Sequence, residues 1–333
     1  MSATAKGGAD GTLRIGVVGI GVMGSNHARV LADLPGVKLV GIADPDSQRR
    51  KFVAESLGCA AFETADSLLD HGVDAISIAA PTHLHRDIAA ACTARGVHIL
   101  VEKPIASTVE EGRAIAAAAH RAGVTLMVGH VERFNPAVQS IKRAIKEEDI
   151  LSIAITRVGP FPPRMSNVGV VIDLAVHDID LIRWFTDSEI VEIQPQTSSA
   201  VAEREDIALL QFRTASGVLA HINTNWLTPF KARNIHIATR NKYLIGDLLT
   251  LQVTECFGFQ PDGSYSMRHL SVGYQEPLRA ELIAFVNAIR GKEPPAVTGE
   301  EAVASLEIAI RCLNTRSVQP ALPQRKGPRR LAG

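Results

Sequence analysis

The run GIGVMG constrains this chain more than any other stretch, because its three glycines stand between an apolar strand pattern, LRIGVVG (13–19), and a helical pattern over 22–34. Gly19 allows a tight turn, Gly21 lets the backbone approach a pyrophosphate, and Gly24 lets helix and sheet pack closely. Backbone N–H groups at the helix start, Val22 and Met23, then meet negative charge. The same rhythm continues downstream. Apolar runs at 37–44, 75–80, 97–103 and 124–129 alternate with helical patterns at 46–57, 83–95 and 107–121. Strands that are apolar throughout and separated by helices imply a parallel sheet covered on both faces, an α/β dinucleotide-binding domain over 1–130.

Beyond residue 130 the pattern changes. A helix at 135–147, a strand at 150–158 and a helix at 171–185 precede extended runs at 189–195, 204–213, 217–226 and 231–238, with shorter ones near 242–255. Helices return at 276–290 and 299–314. Successive strands with little helix between them predict a mostly antiparallel sheet, so 131–333 is read as a separate α+β domain whose terminal helices could pack back on the first. A length of 333 residues suffices for two cores.

Charge and cysteine content exclude several classes. The 35 Lys plus Arg balance 35 Asp plus Glu, which gives no global attraction to nucleic acid or to an anionic membrane. Basic residues concentrate only in the tail SVQPALPQRKGPRRLAG (317–333). Cys59, Cys92, Cys256 and Cys312 are too scattered for a disulfide framework or a close metal-ligand pair. The start MSATAKGGADG lacks the apolar core of a signal peptide, and no apolar run approaches the ~20 residues of a membrane span. A cytoplasmic protein is expected.

Asp44 ends the second strand, 20 residues beyond Gly24. There it would accept hydrogen bonds from the adenosine ribose hydroxyls and repel a 2′-phosphate, which favours NAD over NADP. Arg49 and Arg50 stand just beyond and could hold the extra phosphate; as a turn residue before Pro45, Asp44 would need no cofactor. AAPTHLHRDIA puts Ala80, Pro81, Thr82 and His85 at the carboxyl edge of the sheet, where ligands bind in open α/β sheets. Thr82 could equally cap the next helix, and His83 and His85 cannot both face the cofactor.

VEKP ends a further strand with Glu102, Lys103 and Pro104. From that edge Lys103 could hold a substrate hydroxyl and stabilise alkoxide character as hydride leaves. A structural Glu102–Lys103 ion pair is the alternative, and Pro104 could close a cis peptide, which sequence does not decide. In GVVIDLAVHDID (169–180), Asp173 and His177 are four residues apart and share a helical face. An adjacent carboxylate can orient a histidine and raise its pKa for proton exchange with an alcohol. Taken alone, the pair could also be a buried hydrogen bond or half of a metal site. No clustered Cys/His set accompanies it, His130 with Glu132 being the nearest candidate, so no metal is expected.

The ordered set GIGVMG, Asp44, APTHLH, EKP, GHVERFNP and GVVIDLAVHDID resembles the glucose-fructose oxidoreductase and inositol dehydrogenase (Gfo/Idh/MocA) family over almost the whole chain. The resemblance implies an N-terminal Rossmann domain and a C-terminal domain on a large, mostly antiparallel sheet, through which members form homodimers or homotetramers. It also implies an NAD-dependent dehydrogenase acting on CH–OH groups, with Lys103, Asp173 and His177 as the catalytic group. His177 would remove the hydroxyl proton while hydride passes to NAD, Lys103 would hold and polarise the same oxygen, and Asp173 would orient or relay. GHVERFNP together with DLAVHDID is similar to a branch that includes UDP-N-acetylglucosamine 3-dehydrogenases, which oxidise the sugar 3-hydroxyl to a ketone that a partner aminotransferase can use.

A nucleotide sugar needs cationic or amide donors for its diphosphate. Arg157, Arg164, Arg233 and Arg268 are candidates; Phe161, Asn225, Trp226 and Lys231 could border the pocket, and His130 could shape the cleft. Glu132 and Arg133 could pair, and Asn135 with Pro136 suits a helix start. The alternatives are an inositol, inosamine or free-sugar dehydrogenase and, in another class, a non-catalytic dinucleotide-binding regulatory protein.

Overall fold

The computed structural model describes residues 11–162 and 168–314, so Arg164 and the basic tail lie outside the described residues. The first half alternates strand and helix: β1 (Leu13–Val18), α1 (Val22–Ala32), β2 (Val37–Ala43), α2 (Ser47–Leu57), β3 (Ala60–Phe62), α3 (Ala65–Asp70), β4 (Ala75–Ile78), α4 (His85–Ala94), β5 (His98–Glu102), α5 (Val109–Ala122) and β6 (Leu126–Gly129). All six strands are parallel, in the order β3-β2-β1-β4-β5-β6. The chain reverses direction of build between β1 and β4, and the carboxyl ends of those strands are where an open α/β sheet binds its ligand. β4 and β5 are buried throughout because helices cover both faces.

β3 and α3 occupy a stretch where the sequence pattern shows no element. A strand of three residues is too short to display a period, and only Gly58, in the left-handed region at φ 65°, marks the turn that separates it from α2.

The second half comprises α6 (Pro136–Ala144), β7 (Ile150–Pro160), α7 (Val176–Thr186), β8 (Ile190–Ser198), β9 (Ile207–Thr214), β10 (Leu219–Asn225), β11 (Leu227–Thr239), β12 (Lys242–Asp247), β13 (Gln252–Phe257), β14 (Ser266–His269), α8 (Pro277–Ile289) and α9 (Gly299–Asn314). Its eight strands run β14-β13-β12-β11-β7-β10-β9-β8. Only β7 and β10 pair in parallel. β9 is alternately buried and exposed from Ala208 to Arg213, the signature of a sheet with one packed face. That face meets Val138 and Ile141 of α6, Ile179 and Ile182 of α7 and Ile308 of α9. On the other face Leu209, Leu219, Tyr243, Ile245 and Met267 are exposed.

The shorter runs near 242–255 are β12 and β13, whereas β14, exposed throughout, carries no burial period that would announce it, and two further elements differ from the pattern. The run expected at 204–213 starts only at Ile207, which leaves Arg204 and Glu205 in a loop. The helix expected at 171–185 opens with a π-helical turn, Val171–Ala175, before α7.

The last two helices return to the first sheet. Leu282 and Phe285 of α8 are buried with Leu13, Ile15 and Leu31, while Val303 and Leu306 of α9 join Ile105 and Ile115. Burying a side chain such as Phe285 stabilises by roughly 1.5–3 kcal/mol, so α8 is a structural part of the parallel-sheet half. Among the described residues, no helix is long and apolar enough to cross a membrane.

Candidate active site

The glycine loop leaves no room for side chains where the backbone must close up. Gly19 has φ +86°, and a Cβ on it would meet Ala80 backbone atoms at 2.5 Å; a Cβ on Gly24 would stand 1.7 Å from the Gly19 carbonyl oxygen. At Gly21 nothing lies within 4 Å, so the approach from the cleft is open. α1 starts there with no side-chain cap, and Val22 and Met23 are exposed. An uncapped helix start beside an open glycine fits a pyrophosphate.

Asp44, buried at the end of β2, ties that strand to the loop: Oδ2 accepts from the Ile20 N–H at 2.7 Å and Oδ1 from the Asp46 N–H at 2.9 Å. Each oxygen keeps a second lone pair for a ribose hydroxyl. Arg49 Nη1 stands 3.8 Å from Oδ2, and Arg50 Nη1 donates to the carbonyls of Asp44 and Pro45. Ala80 backs onto Gly19, and Pro81 leads into a 3-10 turn, Thr82–Leu84. Thr82 caps neither this turn nor α4. His85, expected among the cofactor contacts, is instead buried with its ring nitrogens against the carbonyls of Ala80 (2.9 Å) and Ile105 (3.2 Å). It braces two loops, and burial pushes its pKa down.

Lys103 Nζ donates to Asp173, at 2.7 Å to the backbone oxygen and 3.3 Å to Oδ1, and the Lys103–Pro104 bond is cis. The alternative reading, a structural ion pair between Glu102 and the Lys103 ammonium, is not what this geometry forms: the ammonium pairs with Asp173 and Glu102 with His27. Glu102 Oε1 accepts from His27 Nε2–H at 2.8 Å and its Oε2 from the Lys103 backbone N–H at 3.2 Å.

Asp173 and His177 do not form the expected pair. Asp173 lies in the π-helical turn, whose wider i→i+5 winding takes residues four apart out of superposition, and its carboxylate is drawn to Lys103. His177 is buried, its Nδ1 has no hydrogen-bond partner among the described residues, and its ring meets that of His130 edge-on at 6.1 Å. Burial, together with the positive charges of Lys103, Arg157, His130 and Arg233, pushes the His177 pKa well below its ordinary 6.5, the reverse of the rise a neighbouring carboxylate would cause.

Two buried ion networks surround these groups. Arg157 of β7 donates to Asp178 at 2.8 Å and to Glu132 at 2.7 Å, and Arg233 reaches the same Glu132 oxygen at 3.0 Å. Arg133 makes two bonds to Asp180, at 2.7 and 2.8 Å, and one to Glu301 at 3.0 Å; His130 Nδ1 lies 3.7 Å from Asp180. Glu132 and Arg133 therefore serve different partners rather than each other. Arg157 is committed to two carboxylates and buried, so it cannot supply a diphosphate. Arg268 pairs with Glu255 across β13 and β14. Trp226, expected at substrate, is 3% exposed in the core, edge-on to Phe161 at 5.8 Å, and Asn225 accepts from the Leu227 N–H. Asn135 caps α6, with Pro136 at its first turn, as the sequence suggests.

A cavity of about 500 Å³ opens beside Lys103 and Asp173, lined also by Thr82, Ile172, Arg204 and Leu306. Arg204 is a cation the pattern missed because it falls within an expected strand. His27 and Glu281 were also missed: each sits singly on the otherwise apolar buried face of its helix, and only the fold brings them to Glu102.

Residues 13–130 match GFO_IDH_MocA, the oxidoreductase family with an NAD-binding Rossmann fold, and residues 149–245 match the GFO/IDH/MocA C-terminal domain. A UDP-N-acetylglucosamine 3-dehydrogenase of Acidithiobacillus ferrooxidans is 31% identical over 317 residues, covering 94% of this chain and 99% of that one. An inositol 2-dehydrogenase of Rubrobacter xylanophilus is 29% identical over 330 residues, covering 94% and 93%. Among solved structures, UDP-N-acetylglucosamine 3-dehydrogenase GnnA of A. ferrooxidans superposes with a TM-score of 0.84 at 29% identity, covering 90% of this chain and 96% of that one.

Proposed function

Since the chain belongs to the GFO/IDH/MocA oxidoreductase family, and is on that ground an NAD-dependent dehydrogenase of sugar or polyol hydroxyls, we propose that it oxidises a ring secondary hydroxyl of a nucleotide sugar to a ketone. The preferred substrate is UDP-N-acetylglucosamine, oxidised at its 3-hydroxyl. The carrying observation is Lys103, bonded to Asp173 at the edge of the cavity, with the buried His177 near enough for the lysine's charge to help lower its pKa. A neutral imidazole is the form that accepts a proton.

In this reading residues 1–130 hold the cofactor and 131–333 the substrate. Gly19, Gly21 and Gly24 admit the pyrophosphate to the backbone of Val22 and Met23, Asp44 takes the adenosine ribose, and Ala80, Pro81 and Thr82 line the nicotinamide side. Bound NAD supplies the hydride acceptor. Lys103 holds the substrate oxygen, His177 takes its proton, and Asp173 fixes the lysine ammonium that it already accepts from. His130 and Arg233 border the substrate, and Arg204, at the cavity, is the better-placed donor for a diphosphate. The open sheet face, with Leu209, Leu219, Tyr243, Ile245 and Met267 exposed, forms a homodimer or homotetramer, and the ketone product suits an aminotransferase.

Similarity to the A. ferrooxidans protein over nearly its whole length supports the nucleotide-sugar reading. Similarity to inositol 2-dehydrogenases favours a second one, an inositol as substrate. Following the formation of NADH from NAD, and of NADPH from NADP, across UDP-sugars, inositols and free sugars decides between them. Turnover of UDP-N-acetylglucosamine with NAD is expected; turnover of inositols alone overturns the first reading, and tight NAD binding without turnover of any of these marks a regulatory protein.

A further inference from the structure

Four elements bring polar side chains together beneath Lys103, away from the cleft. His27 of α1 is fully buried, bonded through Nε2 to Glu102 of β5 and through Nδ1 to Ser77 Oγ of β4 at 2.8 Å. Gly129 of β6 makes room for the Glu102 carboxylate, since a Cβ there would stand 3.0 Å from Oε1. The fourth group is Glu281 of α8. It is 0% exposed, and neither of its carboxyl oxygens has a hydrogen-bond partner among the described residues. One polar atom each of His27, Glu102 and Glu281 lies within 4.8 Å of the others. α8 is held in place on α1 at the surface by the Arg29–Glu276 and Arg279–Asp33 ion pairs, so Glu281 is fixed from outside as well.

Two buried carboxylates this close cannot both be ionised without a compensating cation. Facing this centre are His27 from α1, Glu102 and Lys103 from the end of β5, and His130 from the turn after β6, while Ser77 of β4 does not titrate. Lys103 directs its ammonium to Asp173. Glu102 accepts from His27 and from the Lys103 amide, whereas Glu281 accepts from nothing; Glu102 is therefore the better anion and Glu281 the better acid.

We propose that Glu281 is a positioning residue that stays protonated, so that no second negative charge opposes the Glu102 carboxylate, which fixes the Lys103 backbone. This rests on reading Lys103 as the group that holds the substrate oxygen. The surroundings of the two carboxyl groups agree with this balance. Burial, then the charge of Glu102, pushes the Glu281 pKa well above the ordinary 4.5. For Glu102, burial pushes upward, but the His27 bond and charge, followed by Lys103, hold it below that value. Deprotonating Glu281 would set a second negative charge against Glu102 and disturb the turn that carries Lys103.

The test uses the full chain with NAD. Glu281→Ala should lower kcat by ~10- to 100-fold, the scale of a misplaced reactive group, and leave the KM for NAD unchanged. Glu281→Gln, a permanently neutral donor of the same shape, should restore most of that turnover and hold it to higher pH than wild type. Infrared spectra of the wild type at neutral pH should show the carbonyl stretch of a buried carboxylic acid, missing from Glu281→Gln. If a variant does not fold, the infrared pH titration of the wild type, with Glu281→Asp shifting the band, decides alone. Absence of the band at neutral pH, equal losses in the Ala and Gln variants, or a stoichiometric divalent cation found by elemental analysis would each overturn the proposal. If Lys103→Met leaves turnover intact while the band is present, the proton assignment stands and the positioning role falls with the reading of Lys103.

Discussion

His177 stands among cations and is bonded to no carboxylate, which decides how its activity should depend on pH. Its folded pKa lies below 6.5, so the neutral, proton-accepting form persists as the solution is acidified past that value. The acid limb of kcat/KM should therefore fall below pH 6.5, and a limb at or above it would show that the imidazole is not the base. His177→Asn should reduce kcat by ~10²–10⁴-fold, the usual worth of a general base, with NADH binding unchanged by fluorescence titration. Sequence motifs single out Lys103, Asp173 and His177 as candidates, because each stands at a strand end or in a helical motif. The partners of these residues are not legible there. A π-helical turn redirects Asp173 to Lys103, and the charges that tune His177 come from Arg157 and Arg233, on strands that meet only in the folded sheet.

At the scale of elements, β7 and α7 are joined by a buried ion pair as well as by apolar packing. Arg157→Met leaves Asp178 without its guanidinium and Glu132 with that of Arg233 alone, and breaking such a buried pair costs ~3–5 kcal/mol. A urea midpoint lowered to match is expected, and an unchanged midpoint would mean that the carboxylates had found other partners. The apolar runs reveal β1, β2, β4, β5 and β6 because each is buried on both faces. β3 is too short for such a run, and β14 has no buried face at all. Trp226 and Arg157 show the same limit within visible strands: alternation places residues on two faces, but only the layer beneath tells which face is core.

For the whole molecule, the proposal that the open sheet face joins subunits predicts that charge placed on it separates them. A double change, Leu219→Lys with Ile245→Lys, is expected to lower the mass measured by light scattering to that of a monomer, whereas an unaltered mass would locate the interface elsewhere. Acid stability follows from buried groups together. His130 and His177 have folded pKa values below 6.5, so the unfolded chain takes up protons first as pH falls below 6.5, and stability is lost from there downward. Glu132 and Asp180, also depressed, contribute stability above their unfolded values that is lost as pH falls through their folded ones. Thermal melts should therefore drop on acidification from pH 6.5, well before carboxylates of ordinary pKa titrate.

Phe285 and Leu282 complete the core around Leu13 and Ile15, yet they are separated from it by almost the whole polypeptide. During translation the dinucleotide-binding half thus emerges early but stays unfinished on one side until the ribosome has released α8. A nascent or prematurely stopped chain that lacks α8 would expose that apolar gap to chaperones and proteases.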